Sequence, residues 1–252
     1  MVIRKISYYR VIVSLCLFMF LLSPVFGDEI SAVSFDKELP ENNIVTIQPD
    51  SLRILHNPLT GWVLYASMGV DAADFWAQYD HMYIPELGHN VSVTDYAHTL
   101  YIRASWTDFN PQEDVYGWKI DSNLRAYIEG AYQRNMRLAF RVVVDSRDKR
   151  TEFTPQFVKD AGAKGFMNKG KWSPYSDDSV FQKYYTKFVK ALAKDFNDPS
   201  KVEFIDGFGL GKWGEYHTMI YSTGDDTPKK AVFNWVTDIY SQAFDKVPVV
   251  IN

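Results

Sequence analysis

Three side chains that could do chemistry lie close together late in the chain: Trp213, Glu215 and His217. The mostly apolar residues 202–206 predict a buried strand, and the glycines that follow turn it into a loop. A carboxylate can exchange a proton with a substrate, and an aromatic ring beside it can stack on one. Glycines also let the backbone approach a ligand closely. The pattern favours general acid/base chemistry at a strand end. The plainer interpretation is a strand and a turn with a solvated glutamate.

The composition of the chain limits which classes of protein and of partner fit it. The chain has 252 residues and is 46% hydrophobic, which is enough apolar content for one domain with a core. A net charge of −4 gives no electrostatic case for a nucleic-acid partner. Aromatic residues make up 16% of the chain, and Trp and Tyr combine a flat ring with a polar edge that suits a sugar. Much of this aromatic content must lie in the core, and the rest could form flat stacking surfaces.

Residues 1–27 have the three parts of a secretory signal peptide: a basic start, an apolar run and small residues before Asp28. The apolar run is short for a membrane span, so we expect no stable span after cleavage; an uncleaved anchor is the alternative. Cys16, the only cysteine, lies inside this segment. The mature protein would therefore be secreted or periplasmic and have no disulfide or thiolate chemistry. Residues 28–54 are expected to form a linker with a short strand.

Strand-like and helix-like patterns alternate through the rest of the chain. Five apolar runs with strand character start near Trp62, His98, Met136, Val202 and Val247. Amphipathic helical patterns separate them, and this alternation predicts an α/β fold of parallel strands with helices packed outside. Residues 149–175 are expected to be a long loop, which in a compact domain is usually functional.

Further candidate site residues follow the ends of these strands, where barrels and open α/β sheets bind ligands. The candidate substrate-binding residues are Arg103, Trp106, Asp145, Arg147, Trp172, Trp213 and His217. Asp145 and Arg147 could bind sugar hydroxyls or form a strand-end salt bridge, and Trp106 could stack on a sugar or lie in the core. No glycine-rich phosphate fingerprint follows the first strand, and the histidines lack metal-ligand spacing. We therefore expect no cofactor and no metal.

Three segments carry a family resemblance, and the third is the Gly-rich stretch with Glu215. Residues 103–118 combine an aromatic residue, a proline, an acidic turn and a Tyr-x-Trp ending, and they resemble the second-strand segment of clan A glycoside hydrolases and of exported β-galactosidase-like proteins. Residues 57–65 are similar to the entry of β-galactosidase-like barrels. In clan A a glutamate at the end of the fourth strand is the general acid/base, and Glu215 matches it by strand count. Arg103 would steady the nucleophile, or else form a structural ion pair.

The resemblance implies a (β/α)8 TIM barrel, of which residues 55–252 would be the N-terminal portion of the catalytic domain. It also implies hydrolysis of a poly- or oligosaccharide by paired carboxylates. Gly214 stands where clan A has an asparagine, and the spacing of Gly207, Gly209, Gly214 and Glu215 also resembles a β-amylase loop. The sugar linkage and the choice between retention and inversion therefore stay open.

The length of the chain conflicts with a complete barrel. Eight strand–helix units need about 250 residues, and the family's nucleophile lies on the seventh strand. We therefore expect a barrel truncated after the fifth strand, inactive as given, with Glu215 kept protonated by burial beside Trp213. A secreted carbohydrate-binding barrel or pseudoenzyme is the alternative. A complete small α/β domain of other function is the third hypothesis.

Overall fold

The computed structural model describes residues 61–66, 68–147 and 151–251, all within the compact unit formed by residues 52–252. The predicted signal peptide with Cys16, the linker of residues 28–54 and the start of the 57–65 segment lie outside the described residues. No helix in the described ranges is both long enough and apolar enough to cross a bilayer.

The secondary structure alternates strands and helices, as the pattern predicts. In chain order the elements are β1 (Trp62–Tyr65), α1 (Ala72–Asp80), β2 (Met82–Ile84), β3 (His89–Val91), β4 (Ala97–Ser105), α2 (Trp106–Phe109), α3 (Gly117–Ile120), α4 (Ser122–Gln133), β5 (Arg137–Val143), α5 (Gln156–Asp160), β6 (Gly165–Asn168), β7 (Lys171–Pro174), α6 (Ser179–Phe196), β8 (Val202–Gly207), α7 (Lys229–Ala243) and β9 (Val249–Ile251). A 3₁₀ turn, Val93–Asp95, precedes β4.

Five strands form the central sheet in the order β1-β4-β5-β8-β9, and all neighbours are parallel. Each crossover moves to the next strand in the same direction across the sheet. Because such crossovers are right-handed, the connecting helices lie on one face of the sheet. This is the order of the first five strands of a β/α barrel, and the expected parallel α/β fold is confirmed.

The apolar core lies between the sheet and its helices. Alternate residues of β4 and β5, such as Leu100, Ile102 and Phe140, are almost fully buried on the helix-covered face. The ring of Phe140 lies 4.7 Å from that of Phe196 in α6, centroid to centroid. On the opposite face, the ring of Tyr101 in β4 packs against the ring of Tyr65 in the adjacent β1, with centroids 5.3 Å apart. Polar site residues can therefore occupy the face that the helices leave uncovered.

Side-chain caps set the helix starts. The sequence predicts Asp121 or Ser122 as the cap of α4, and Asp121 is the cap: it accepts a hydrogen bond from the amide of Leu124 at 2.7 Å. The sequence likewise predicts Ser176 or Asp177 as the cap of α6, and that prediction is wrong. Asp178 caps it by accepting from the amides of Val180 and Phe181, whereas Asp177 accepts from Ser222 instead.

Residues 149–175 are more ordered than the predicted loop. Among the residues described there, α5 precedes an antiparallel hairpin of β6 and β7. Lys169 and Gly170 turn the hairpin with positive φ values of 49° and 75°. Two residues with positive φ between short strands are typical of a tight hairpin turn. The Lys169-Gly170 pair was therefore the feature of the sequence that could have indicated this hairpin. A second hairpin, β2 with β3, was also not predicted.

Candidate active site

The loop after β8 carries Glu215 and is shaped by its glycines. Gly209 has a φ of +77°, and a Cβ built on it would lie 2.1 Å from the carbonyl oxygen of Val142. The amide of Val144 donates to the Gly209 carbonyl at 3.1 Å, so the loop packs against the end of β5. Trp213 also has a positive φ, 63°, which coils the backbone tightly just before Gly214. This path returns Glu215 to the carboxyl end of the sheet.

Glu215 forms an ion pair with Arg141 of β5. Nη1 of Arg141 donates to Oε1 of Glu215 at 2.8 Å. The other side of the same guanidinium binds Oδ2 of Asp206, with Nε at 2.9 Å and Nη2 at 2.6 Å. The side chains of Arg141 and Asp206 are 5% and 10% exposed, whereas that of Glu215 is 36% exposed. Of the two carboxylates on this arginine, Glu215 is therefore the one that a substrate could reach.

Tyr101 completes this cluster. Its hydroxyl donates to Oδ2 of Asp206 at 2.6 Å, and its burial together with that hydrogen bond raises its pKa well above the ordinary value. Burial works against the charge of Arg141, but its contacts with Asp206 and Glu215 raise the pKa of its guanidinium overall. Arg141 is therefore a permanent cation and Tyr101 a permanent donor at ordinary pH.

Arg103 lies on the same edge of the sheet. Its Nη2 donates to the carbonyl oxygen of Trp213 at 2.6 Å, which ties the Glu215 loop to β4. Among the described residues no carboxylate forms an ion pair with Arg103, whereas Arg141 is paired with two carboxylates and Arg147 with one. Its guanidinium therefore keeps donors for a partner that approaches from this edge.

Trp213 and His217 form the rim of the candidate site. Their rings stack 5.5 Å apart at an interplanar angle of 25°, and Nζ of Lys212 lies 4.6 Å from the Trp213 centroid. The side chain of Trp213 is 39% exposed. The two predicted rim residues are thus brought together next to Glu215, with exposed aromatic surface available to a ligand.

Asp145 and Arg147 pair with each other rather than with Glu215. Nε of Arg147 donates to Oδ2 of Asp145 at 2.8 Å, and both side chains are buried. Ser173 of β7 donates to the other carboxylate oxygen at 3.3 Å. This is the geometry of the strand-end salt bridge that the sequence left open, and it anchors the hairpin to the end of β5.

Trp106 and Trp172 do not offer a free ring face. Trp106 is 0% exposed and packs among aromatic rings of α5 and α6, including Tyr185 at 5.1 Å. Trp172 is 6% exposed, and Nζ of Lys159 lies 5.5 Å from its ring centroid. Trp106 is a core side chain because α5 and α6 pack over it, and Trp172 is a buried residue of the β6–β7 hairpin. Their predicted stacking on a sugar has no geometric support.

Three members of the central cluster, Tyr101, Arg141 and Asp206, were absent from the sequence prediction. Each lies inside a strand rather than in the loop after it. The available signal was a charge interrupting an otherwise buried strand, because buried charges are costly unless they are paired. Arg141 and Asp206 both fit that description.

The described residues contain no group of three or more His, Cys, Asp or Glu side chains that could hold a metal ion. A cavity of about 970 Å³ lies at the opposite, amino-terminal edge of the sheet, lined partly by Arg134 and Arg137. These arginines are paired with Asp80 and Glu203, respectively, so that cavity does not concentrate reactive groups. The chemistry of the described chain is concentrated at Glu215, where a partly exposed carboxylate, a buried cation and aromatic rings meet.

Some solved structures are similar to this chain. Neither a protein-family model nor a curated protein matches this chain. Solved structures that are similar include an exo-β-1,4-mannosidase from Opitutaceae bacterium strain TAV5, with 15% identity and a TM-score of 0.48 over 75% of this chain and 31% of that one. GH5_18 from Streptomyces cattleya, in complex with GlcNAc, has 13% identity and a TM-score of 0.47 over 75% and 43%. An endogalactoceramidase has 13% identity and a TM-score of 0.44 over 77% and 48%. The chain thus spans about a third to a half of the length of these structures.

Proposed function

We propose that this protein is an exported glycoside hydrolase that acts on a poly- or oligosaccharide, with Glu215 as the general acid/base. The observation that carries the proposal is a partly exposed glutamate, held by Arg141 at the carboxyl edge of a parallel sheet, beside the exposed ring of Trp213. A carboxyl group in this setting can give a proton to a glycosidic oxygen while the sugar stacks on the aromatic rim. Export rests on the signal-like pattern of residues 1–27.

The mechanism needs a second carboxylate on the other side of the scissile bond. Asp145 and Asp206 are buried in ion pairs with arginines, so neither is free to face a sugar. We place the second carboxylate outside the described residues. Arg103 supports this proposal, because its guanidinium faces the same edge without a carboxylate among the described residues.

Carbohydrate binding without hydrolysis is the second candidate function. Glu215 sits in an ion pair with Arg141, and the aromatic rim of Trp213 and His217 would bind a sugar whether or not a reaction followed. A binding protein or pseudoenzyme would keep this surface and have no second carboxylate. The two candidates therefore differ in whether a bound oligosaccharide is cleaved.

The test uses the protein isolated from its native source and the 252-residue chain, each assayed against a panel of neutral oligosaccharides. Hydrolysis by the native protein is expected to fall about 10²- to 10⁴-fold in Glu215→Gln, the usual contribution of a general acid. Glu113→Gln is the matched control, because Glu113 is an exposed carboxylate paired only with Lys187 at the surface. Unchanged hydrolysis in Glu215→Gln would overturn the assignment. Binding of an oligosaccharide that is never cleaved would favour the second candidate.

A further inference from the structure

Arg141 holds two carboxylates of unequal exposure on one guanidinium. Nε and Nη2 bind Asp206, and Nη1 binds Oε1 of Glu215 at 2.8 Å. A planar guanidinium presents its donors in a rigid fork, so a bond on one side fixes the direction of the donors on the other. The position of the Glu215 carboxylate is thus set by how Arg141 sits on Asp206.

Asp206 is itself held in place. Tyr101 donates to the same Oδ2 that accepts from Arg141, at 2.6 Å, and the carboxylate is buried between β4, β5 and β8. Arg103 of β4 fixes the loop on the other side of Glu215 by donating to the Trp213 carbonyl. Of the two carboxylate oxygens of Glu215, Oε1 has a hydrogen-bond partner among the described residues and Oε2 has none. The second oxygen is left to face a substrate.

We propose that Arg141 is the positioning residue of Glu215, oriented by Asp206 and Tyr101. This inference rests on the proposed function for its catalytic meaning. When Glu215 gives its proton to a glycosidic oxygen, the C–O bond electrons pass to that oxygen and a carboxylate remains. The guanidinium stabilises the carboxylate as it forms, which lowers the barrier to proton transfer.

The charges around Glu215 make the sign of the effect testable. Arg141 from β5 is the cation that contacts Glu215, and Asp206 from β8 is the carboxylate on the other side of that guanidinium. Arg103 from β4 and Lys212 from the loop are further cations that contact the neighbouring Trp213. His217 in the same loop adds positive charge when protonated, and neutral Tyr101 acts only through Asp206. Removing the nearest cation and removing the nearest anion should therefore move the titration of Glu215 in opposite directions.

The experiment is a ¹³C NMR titration of the Glu215 side-chain carboxyl in the 252-residue chain, assigned with Glu215→Gln. We expect the midpoint to rise by about one pH unit or more in Arg141→Met and to fall in Asp206→Asn. Arg137→Met is the matched control, because Arg137 lies on the same strand and pairs with buried Glu203. It should lower stability without moving the Glu215 midpoint.

The isosteric Asp206→Asn keeps the test decisive if Arg141→Met does not fold. A Glu215 midpoint that stays in place in both variants, or that moves equally in Arg137→Met, would overturn the inference. The titration needs no substrate. A failure to find hydrolysis would thus count against the proposed function alone, and an unmoved midpoint would count against the positioning role alone.

Discussion

Glu215 and Asp206 both pair with Arg141, yet their surroundings give them different roles. Asp206 accepts hydrogen bonds from Tyr101 and from Nε of Arg141, forms an ion pair with Nη2 of the same arginine and is buried, so exposing it to a sugar would break a paired network. Within the described residues Glu215 accepts one hydrogen bond, and its side chain is 36% exposed. The chemical role therefore falls to Glu215, and the role of Asp206 is to hold the cation that orients it.

Replacing Trp213 or Trp106 by alanine should have opposite consequences for binding and stability. Trp213→Ala should weaken oligosaccharide binding roughly threefold to tenfold with little loss of stability, because its ring is exposed at the rim. Trp106→Ala should lower the free energy of unfolding by about 3–5 kcal/mol, because its ring fills the core under α6. Calorimetric titration and urea denaturation measure the two effects. A stable Trp106→Ala with lost binding would contradict the core placement.

The loop after β8 depends on one close approach of backbone to backbone. Gly209 lies against the Val142 carbonyl, and the Tyr185 hydroxyl donates to the neighbouring Phe208 carbonyl at 2.9 Å. Tyr185 also bonds the hydroxyl of Tyr240 at 2.8 Å, which links α6 and α7 beneath the loop. The position of Glu215 is thus determined by helices as well as by its own strand.

Gly209→Ala should therefore disturb the site as well as stability. The left-handed backbone alone costs about 1–2 kcal/mol, and the contact with Val142 adds to that cost. Gly224→Ala is the matched control, because Gly224 has the same φ of +77° with nothing within 4 Å of the added Cβ. Urea denaturation should show a larger loss for Gly209→Ala, and the Glu215 carboxyl resonance should shift only there. Equal losses in both variants would contradict the close packing of the loop.

The ends of α1 and α4 are joined by an ion pair whose contribution depends on pH. Hydrogen bonds from Arg134 hold the pKa of Asp80 below its ordinary value, with Nε at 2.9 Å from Oδ1. A carboxyl group with a lowered folded-state pKa stabilises the fold above its unfolded pKa and loses that contribution as pH falls through the folded value. Asp80→Asn should cost about 1–2 kcal/mol at pH 7. Its difference from wild type should shrink as pH falls from 7 through the lowered folded-state pKa of Asp80. Urea denaturation at pH 7 and along an acid series measures this, and a difference that stays constant with pH would contradict it.

The strands and main helices were predictable because their apolar residues recur with a clear period. The loop position of Glu215 followed from the glycines after an apolar run. The network behind Glu215 did not follow, because pairing of Arg141 with Asp206 depends on strand register and joins residues far apart in the chain. The short hairpins were missed for a related reason: β2 and β6 are too short to show a period.

At the scale of the whole molecule, the main feature of the described residues is one parallel sheet of five strands. Its five strands are three fewer than the eight of a closed barrel, and β1 and β9 are its outer strands among the described residues. The face that the helices leave uncovered carries Tyr101, Arg103 and Arg141, polar groups typical of a barrel interior near its active site. For the proposed hydrolase, these polar groups would face the sugar, with the second carboxylate proposed to lie outside the described residues.

The leaving-group dependence of hydrolysis tests the central claim most directly. A general acid is needed only when the departing oxygen is basic, so Glu215→Gln should lower kcat/KM for an oligosaccharide about 10²- to 10⁴-fold. For the dinitrophenyl glycoside of the same sugar, whose leaving group departs without a proton, kcat/KM should stay close to that of the native protein. An equal loss on both substrates would contradict the account, because it would show that Glu215 supports the structure of the site rather than delivering the proton.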